Sequence, residues 1–256
     1  TPGAGAPGGA ATGASVREHV LPTGCMHLAL RLSGAPLRVF AGEADRLGRV
    51  VGHAVVGGAR SGFYLREAVP GWSAGALLEP GAARALFGPG AQEFAGRHVA
   101  LDDLWGREAG LCMERLQGAR TAAQALASME DLLLQRLGAD AGLHAGVAAA
   151  VATLRRGGRV DAAVQASGFS HRQLVARFRD AVGLPPKAYA RVLRLQSALA
   201  RLGQPGAGLA DLALAAGYAD QAHFSREFRG FAGVTPTQWL QARPLHPNHV
   251  PVPAGR

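Results

Sequence analysis

Two stretches of the sequence carry side chains that could bind another molecule from one face of a helix. In residues 221–229 the side chains that face away from Phe224 and Phe228 are Gln221, Ala222, His223, Ser225, Arg226 and Arg229. In residues 170–179 the corresponding side chains are Ser170, His171, Arg172, Val175, Ala176 and Arg179. Arginine can bond bidentately to guanine and glutamine to adenine, while alanine or valine can contact a thymine methyl group. These residue types predict recognition of base edges in duplex DNA.

The two stretches are not equally equipped for this chemistry. Arg226 of the second stretch corresponds to Ala176 of the first, whose side chain is too short to hydrogen-bond to a base. The second stretch is therefore predicted to be the stronger reader. Each outward arginine has an alternative role as a phosphate contact or as part of a solvated face. Arg191 and Arg194, between the stretches, could contact phosphate or brace the two stretches, and bracing is favoured.

Each stretch follows a short helix and a tight turn. Leu209 and Leu212 lie on one face of a helix that Gly217 ends, because glycine enters the left-handed region without steric cost. Asp220 then has the position of an N-cap residue, and Ser170 has it in the first stretch. The pattern in both places is helix, turn, helix.

The pattern is duplicated between residues 160–190 and 209–241. At an offset of 50 the matching positions are Phe178 with Phe228, Gly183 with Gly233, Pro186 with Pro236 and Tyr189 with Trp239. Before the turn the offset is 49, since Gly168 matches Gly217. Two copies with these glycine, aromatic and proline positions in register indicate a repeated unit.

Residues from about 145 to 242 resemble the DNA-binding domain of AraC/XylS-type transcription regulators. The resemblance is carried by the Gly-aromatic turns, the basic second helices LVARFRDAVG and FSREFRGFAG, and the Gly-x-x-Pro segments that follow them. KAYARVLRLQSALARL resembles the helix that joins the two units in that family. The resemblance implies an all-α domain whose two second helices enter successive major-groove segments of double-stranded DNA. It implies no cofactor.

The first half of the chain predicts a different fold. Short β-rich segments at 27–32, 37–42, 49–56 and 62–69 predict a small antiparallel sheet or barrel. A short helix at 82–87 and amphipathic helices from about 108 to 137, with Leu126, Met129, Leu133 and Leu137 on one stripe, complete an α+β domain.

This half resembles the sensor-like domain that precedes some AraC-type DNA-binding domains, especially in actinobacterial sequences. LPTGCMHLALRL, GALLEPGAARALFG and HVALDDLWG carry the similarity, although His27 stands where an acidic residue is expected. The resemblance allows a small-molecule effector, a homodimer and RNA polymerase as partners. The predicted organisation is a disordered tract at 1–15, an N-terminal sensor or dimerisation domain at 16–140, the DNA-binding domain at 143–243 and a flexible proline-rich tail at 244–256.

The charge distribution agrees with that division. The net charge of +9 lies in residues 146–256, which hold 14 basic and five acidic residues, whereas residues 1–145 hold 13 of each. A basic half beside a neutral half is typical of a nucleic-acid-binding domain attached to another domain. No apolar run reaches the ~20 residues of a membrane helix, and no signal peptide is recognisable, so a cytoplasmic location without membrane contact is expected.

No catalytic or metal-binding pattern is found in the sequence. Cys25 and Cys112 are far apart, and His27, His53 and His98 lack the HxH spacing of a metal-binding cupin. The leading hypothesis is therefore a non-enzymatic, cytoplasmic transcription regulator. The alternatives are an enzyme tethered to DNA by its second half, and an architectural DNA binder without sequence preference.

Overall fold

The computed structural model describes residues 16–137, 142–204 and 208–252 of the 256-residue chain. The first part contains two antiparallel sheets with helices after them, and the part from residue 145 to residue 242 is helical. The predicted α+β domain followed by an all-α domain is confirmed. The tract at 1–15 that was predicted to be disordered lies outside the described residues.

The strands form one sheet of five and one of four. They are β1 Val16–Val20, β2 Met26–Arg31, β3 Leu37–Phe40, β4 Arg49–Gly52, β5 Ala54–Gly57, β6 Tyr64–Ala68, β7 Ser73–Leu78, β8 His98–Ala100 and β9 His249–Val252. The strand order is β4-β3-β6-β1-β9 in one sheet and β7-β2-β5-β8 in the other. The segment predicted as one strand at 49–56 is divided at Gly52, whose φ of 148° favours glycine, and its halves enter different sheets.

The helices follow the sheets and include the repeated unit. They are α1 Ala82–Phe87, α2 Asp102–Trp105, α3 Arg107–Gln117, α4 Ala122–Arg136, α5 Ala145–Arg155, α6 Val160–Ser167, α7 His171–Val182, α8 Pro186–Leu202, α9 Leu209–Ala215, α10 Gln221–Ala232 and α11 Pro236–Ala242. A 3₁₀ turn spans Ala91–Phe94. In α4 the predicted stripe is partly wrong, because Leu126 is 51% exposed while Ala125 and Met129 are buried.

Residues 244–252 are not the flexible tail that the sequence predicted, and the last residues of that predicted tail lie outside the described residues. Residues 249–252 pair with β1 as strand β9, with His19 opposite Val250 and Glu18 opposite Pro251. Val250 is buried, and the indole Nε1 of Trp239 donates to the Pro247 carbonyl at 3.0 Å. Proline is tolerated here because β9 is an edge strand, where one side of the backbone needs no ladder donor.

The sheets and the helical part share one continuous core. The amide of Gly81 donates to the Ala181 carbonyl at the end of α7, at 2.9 Å, and Arg84 pairs with Asp180 at 2.7 Å. At the end of α10, Nδ1 of His19 lies 2.7 Å from the Ala232 carbonyl, which accepts a hydrogen bond from it. The N-terminal domain therefore holds the C-terminal ends of both α7 and α10.

Candidate nucleic-acid interface

Two helix-turn-helix units are formed by α6 with α7 and by α9 with α10. The turn glycines Gly168 and Gly217 have φ angles of 70° and 80°, which lie in the left-handed region. The Ser170 side chain caps α7 by accepting from the Gln173 amide, and Gln173 completes a capping box. The Asp220 carboxylate caps α10 by accepting from the His223 amide at 2.6 Å. Both predicted N-caps are confirmed.

One face of each second helix is buried and sets which side chains point outward. In α7 the buried side chains are Leu174, Phe178 and Val182, and in α10 they are Phe224, Phe228 and Phe231. The next helix, α8 or α11, begins in each unit with a proline in its first turn. Tyr189 of α8 and Trp239 of α11 are both buried. The repeated sequence positions thus have equivalent structural roles in the two units.

The residues predicted to contact DNA lie mainly on the exposed faces of these helices. Nine of them are exposed, namely Ser170, His171, Arg172, Ala176, Arg179, Gln221, Ala222, Arg226 and Arg229. The other three, Val175, His223 and Ser225, are half-buried. The Ser170 hydroxyl is occupied by the capping box, so its side chain serves the helix end. The two faces present four arginines that are free to meet a polyanion.

Two residues of these helices were missed in the sequence. Arg177 is exposed on α7, with its guanidinium 5.0 Å from the centroid of the Phe169 ring. Glu227 is on α10 among basic residues, and its side chain is only 7% exposed. The spacing of Glu227 four residues after His223 was a readable signal for a helical pair.

Glu227 connects the joining helix α8 to the second helix of the second unit. Its Oε1 lies 2.5 Å from Nε of Arg191, and its Oε2 lies 4.0 Å from Nη1 of Arg194. Nε2 of His223 is 3.6 Å from the same Oε2. The guanidinium of Arg194 also lies 5.3 Å from the centroid of the Tyr218 ring, and burial raises the pKa of Tyr218. These contacts favour the bracing role for Arg191 and Arg194.

A basic groove runs beside this cluster, with a volume of about 600 Å³. It lies between residues 157–161, which lead into the first turn of α6, one face of α8 and the first turns of α10. Its lining includes the basic and acidic residues Arg159, Asp161, Lys187, Arg191, Arg194 and Glu227, and also His223. Because cations outnumber carboxylates there, the groove can accept a polyanionic backbone.

Two kinds of feature are absent from the part of the chain that the structure describes, a metal-binding cluster and a membrane-spanning helix. No cluster of three or more His, Cys, Asp or Glu side chains is arranged there to hold a metal ion. None of the described helices has the length and apolar composition to cross a membrane.

Comparison with known proteins places the two units in a family. Residues 163–242 match the helix-turn-helix domain family. The HTH-type transcriptional regulator MtrA of Neisseria gonorrhoeae is 32% identical over 80 residues, which are 31% of this chain and 27% of that protein. The match therefore spans about a quarter of the relative's length, and the similarity concerns the DNA-binding part.

Two solved structures are similar over different shares of the chain. A transcriptional regulator with an AraC-type DNA-binding domain from Chromobacterium violaceum covers 39% of this chain and 93% of its own, with 27% identity and a TM-score of 0.36. ToxT from Vibrio cholerae covers 89% of this chain and 97% of its own, with 9% identity and a TM-score of 0.48. The family match therefore assigns residues 163–242, and not the whole chain, to the helix-turn-helix domain family.

Proposed function

We propose that the chain is a sequence-specific transcription regulator that reads DNA with α7 and α10. The observation that carries this proposal is the equivalence of the two helices. Each is capped at its N-terminus, buries one apolar face and exposes arginines on the other. A helix-turn-helix places such a helix in the major groove, so two units joined by one helix can read two groove segments.

The two helices differ in what they offer to DNA. α10 presents Gln221, Arg226 and Arg229, whose side chains can bond to adenine and guanine edges. α7 presents Arg172 and Arg179 but has Ala176 where α10 has Arg226. Base discrimination is therefore concentrated in α10, and α7 contributes phosphate contacts and apolar contacts. The basic groove beside α8 adds affinity for the backbone without sequence preference.

The N-terminal domain acts as the regulatory part. An open cavity of about 440 Å³ lies between its two sheets, and Asn248 and His249, which follow the DNA-binding domain, also line it. A small molecule in this cavity would contact both the sheets and a segment that leaves the DNA-binding domain. Such a ligand changes DNA affinity by the difference in its own affinity for the free and the DNA-bound states. Such a regulator acts in the cytoplasm. RNA polymerase and a second copy of the chain are proposed as partners on the family resemblance alone.

The test is a selection of bound duplexes from a random DNA library with the full-length chain. The full chain is required because β9 belongs to the N-terminal sheet, so a cut between the domains would remove a strand. An enriched motif is expected, with log K falling by ~0.9 per neutralised phosphate per decade of salt. Binding without an enriched motif would support an architectural role, and turnover of a compound by the N-terminal domain would support the tethered enzyme.

A further inference from the structure

Arg60 lies between two open spaces of the N-terminal domain. It lines the cavity of about 440 Å³ between the sheets, and together with Tyr64 it also lines an outer pocket of about 380 Å³. The outer pocket is lined by residues of β3, β4 and β6 from one sheet and of β8 from the other. Arg60 is therefore placed where a ligand that enters the cavity from this side would meet a guanidinium group.

The guanidinium of Arg60 has weak neutral contacts. Its Nη2 lies 3.3 Å from Nδ1 of His98 and 3.5 Å from the Arg97 carbonyl, and the group stacks 4.2 Å from the Tyr64 ring centroid. Its Nε is buried and has no hydrogen-bond partner among the described residues. Burial lowers the pKa of Arg60, which reflects the cost of desolvating its charge.

The surroundings of Arg60 are positive. Arg49 and Arg97 line the outer pocket, and none of the described residues that line either space is an aspartate or a glutamate. Arg66 lines the cavity as well, but Glu18 neutralises it through a direct ion pair. A desolvated cation without a carboxylate partner is costly, and an anion that pairs with it offsets that cost.

The inner cavity combines this charge with apolar walls. Leu21, Leu28, Leu37 and Val55 are buried and line it. The ring of His27 lies against the backbone of its cross-strand partner Gly57, where a side chain would collide with it, so the ring is fixed at the cavity wall. Burial and the nearby Arg60 lower the pKa of His27 to about 4, so at neutral pH this imidazole is uncharged.

We propose that the N-terminal domain binds an organic anion, with its acid group paired to Arg60 and its apolar part between the sheets. The inference rests on the proposed regulatory role only where it treats this ligand as an effector. The acid group lies at the junction of the cavity and the outer pocket, where Arg49 and Arg97 add a favourable field. The apolar part extends toward Leu28 and Val55.

Isothermal titration calorimetry of the full-length chain tests this assignment with three probes. Hexanoate carries an acid group and an apolar chain, hexanamide has nearly the same shape without charge, and sulfate has charge without an apolar part. Hexanoate is expected to bind at least tenfold more tightly than either of the others. Hexanamide lacks the charge-assisted pair with Arg60, and sulfate lacks the apolar contact. The Arg60→Gln variant is expected to bind hexanoate and hexanamide equally.

The matched control is Arg107→Gln, since Arg107 is exposed at the start of α3 and lines neither space. It is expected to retain the preference for hexanoate. If Arg60→Gln does not fold, Arg49→Gln must weaken hexanoate binding by more than Arg107→Gln does. The proposal is overturned if the unmodified chain binds hexanamide or sulfate as tightly as hexanoate, or does not bind hexanoate at millimolar concentration. It is also overturned if the preference for hexanoate over hexanamide survives in Arg60→Gln. If hexanoate binds at Arg60 without changing DNA affinity, the anion site stands and the effector role fails.

Discussion

Gly183 and Gly233 occupy the same position in the two units, and both pack against the N-terminal domain. Gly183 follows the last residue of α7 and Gly233 that of α10, and their φ angles of 86° and 73° lie in the left-handed region. A Cβ at Gly183 would lie 3.0 Å from the Ala91 carbonyl oxygen, and one at Gly233 would lie 2.5 Å from Cε1 of His19. The N-terminal domain thus touches α7 and α10 at equivalent points, and these contacts constrain how the two helices are placed relative to each other.

Replacing Gly233 by alanine should destabilise the chain through this contact. The substitution adds a strained φ angle, which costs ~1–2 kcal/mol, and a collision with the His19 ring, which costs a further ~1–3 kcal/mol. Gly217→Ala is the matched control, because Gly217 also has a positive φ angle but a Cβ there would meet nothing within 4 Å. Urea denaturation of both variants measures the difference in the free energy of unfolding. Equal losses would show that the contact with His19 contributes nothing.

The buried carboxylate of Glu227 should affect the ratio of specific to non-specific DNA affinity, and not only the electrostatic attraction to DNA. Replacing Glu227 by glutamine releases Arg191 and leaves His223 without its acidic neighbour. Affinity for scrambled DNA is expected to rise, because a negative charge is removed near the groove. The ratio of specific to non-specific affinity is expected to fall severalfold, because α10 loses its brace to α8.

Asp161→Asn is the control for charge. Asp161 lines the same groove and lies 3.9 Å from Arg159, but both side chains are more than four-fifths exposed. Its loss should raise affinity for specific and scrambled DNA by the same factor, as measured by fluorescence anisotropy at one salt concentration. If Glu227→Gln gave the same result, Glu227 would act through charge only.

Local features of the fold could be predicted from the sequence because their causes are local. Ser170 and Asp220 cap their helices through side chains three residues before the amides they bind, and the apolar spacing of Phe224 and Phe228 fixes the buried face. The outward positions of Arg226 and Arg229 follow from that spacing. The candidate DNA surface was therefore readable from residues at most one or two helical turns apart.

Features that depend on distant parts of the chain could not be predicted in this way. The pairing of Val250 with His19 joins residues more than 200 positions apart, and Pro251 made the segment resemble an unstructured tail. The role of Arg60, and the contact of Glu227 with α8, depend on neighbours on other strands or helices. Local sequence patterns do not determine which strands are neighbours in a sheet. The cavity and the contact between the domains could therefore be found only from the structure.

Acid should destabilise the N-terminal domain through two histidines. Burial, followed by Arg60, lowers the pKa of His27 to about 4 and that of His98 to about 2. A lowered pKa means that the unfolded chain takes up the proton first. Each histidine's contribution to the free energy of unfolding is therefore fully present above pH 6.5 and is lost as the pH falls. For His27 this loss continues down to about pH 4. Each contributes a slope of at most about 1.4 kcal/mol per pH unit below pH 6.5.

Urea denaturation between pH 6 and pH 5 measures this slope. His98→Gln should reduce it by about the contribution of one proton, since the amide oxygen of glutamine can still accept from Arg60 but does not titrate in this range. His53→Gln is the control, because His53 is exposed. An unchanged slope in His98→Gln would mean that this histidine does not titrate differently in the folded and unfolded chains.

The exchange of Arg226 and Ala176 tests which helix reads sequence. The two residues are equivalent in the repeat and both are exposed, so they should face DNA alike if the units dock alike. Arg226→Ala should cost ~1–3 kcal/mol on the selected site and little on scrambled DNA, because a bidentate base contact is lost. Ala176→Arg should add affinity broadly or create a new base preference under α7.

Both variants are measured by fluorescence anisotropy on the selected site and on scrambled DNA at one salt concentration. Arg201→Ala is the control, since Arg201 is exposed in the last turn of the joining helix α8 and not on a recognition helix. It should change both affinities by the same small factor. Equal losses on the two DNAs for Arg226→Ala would make Arg226 a phosphate contact, because such a contact contributes to any duplex alike. Base reading would then have to come from Gln221 or Arg229, the other exposed side chains of α10 that can bond to a base edge.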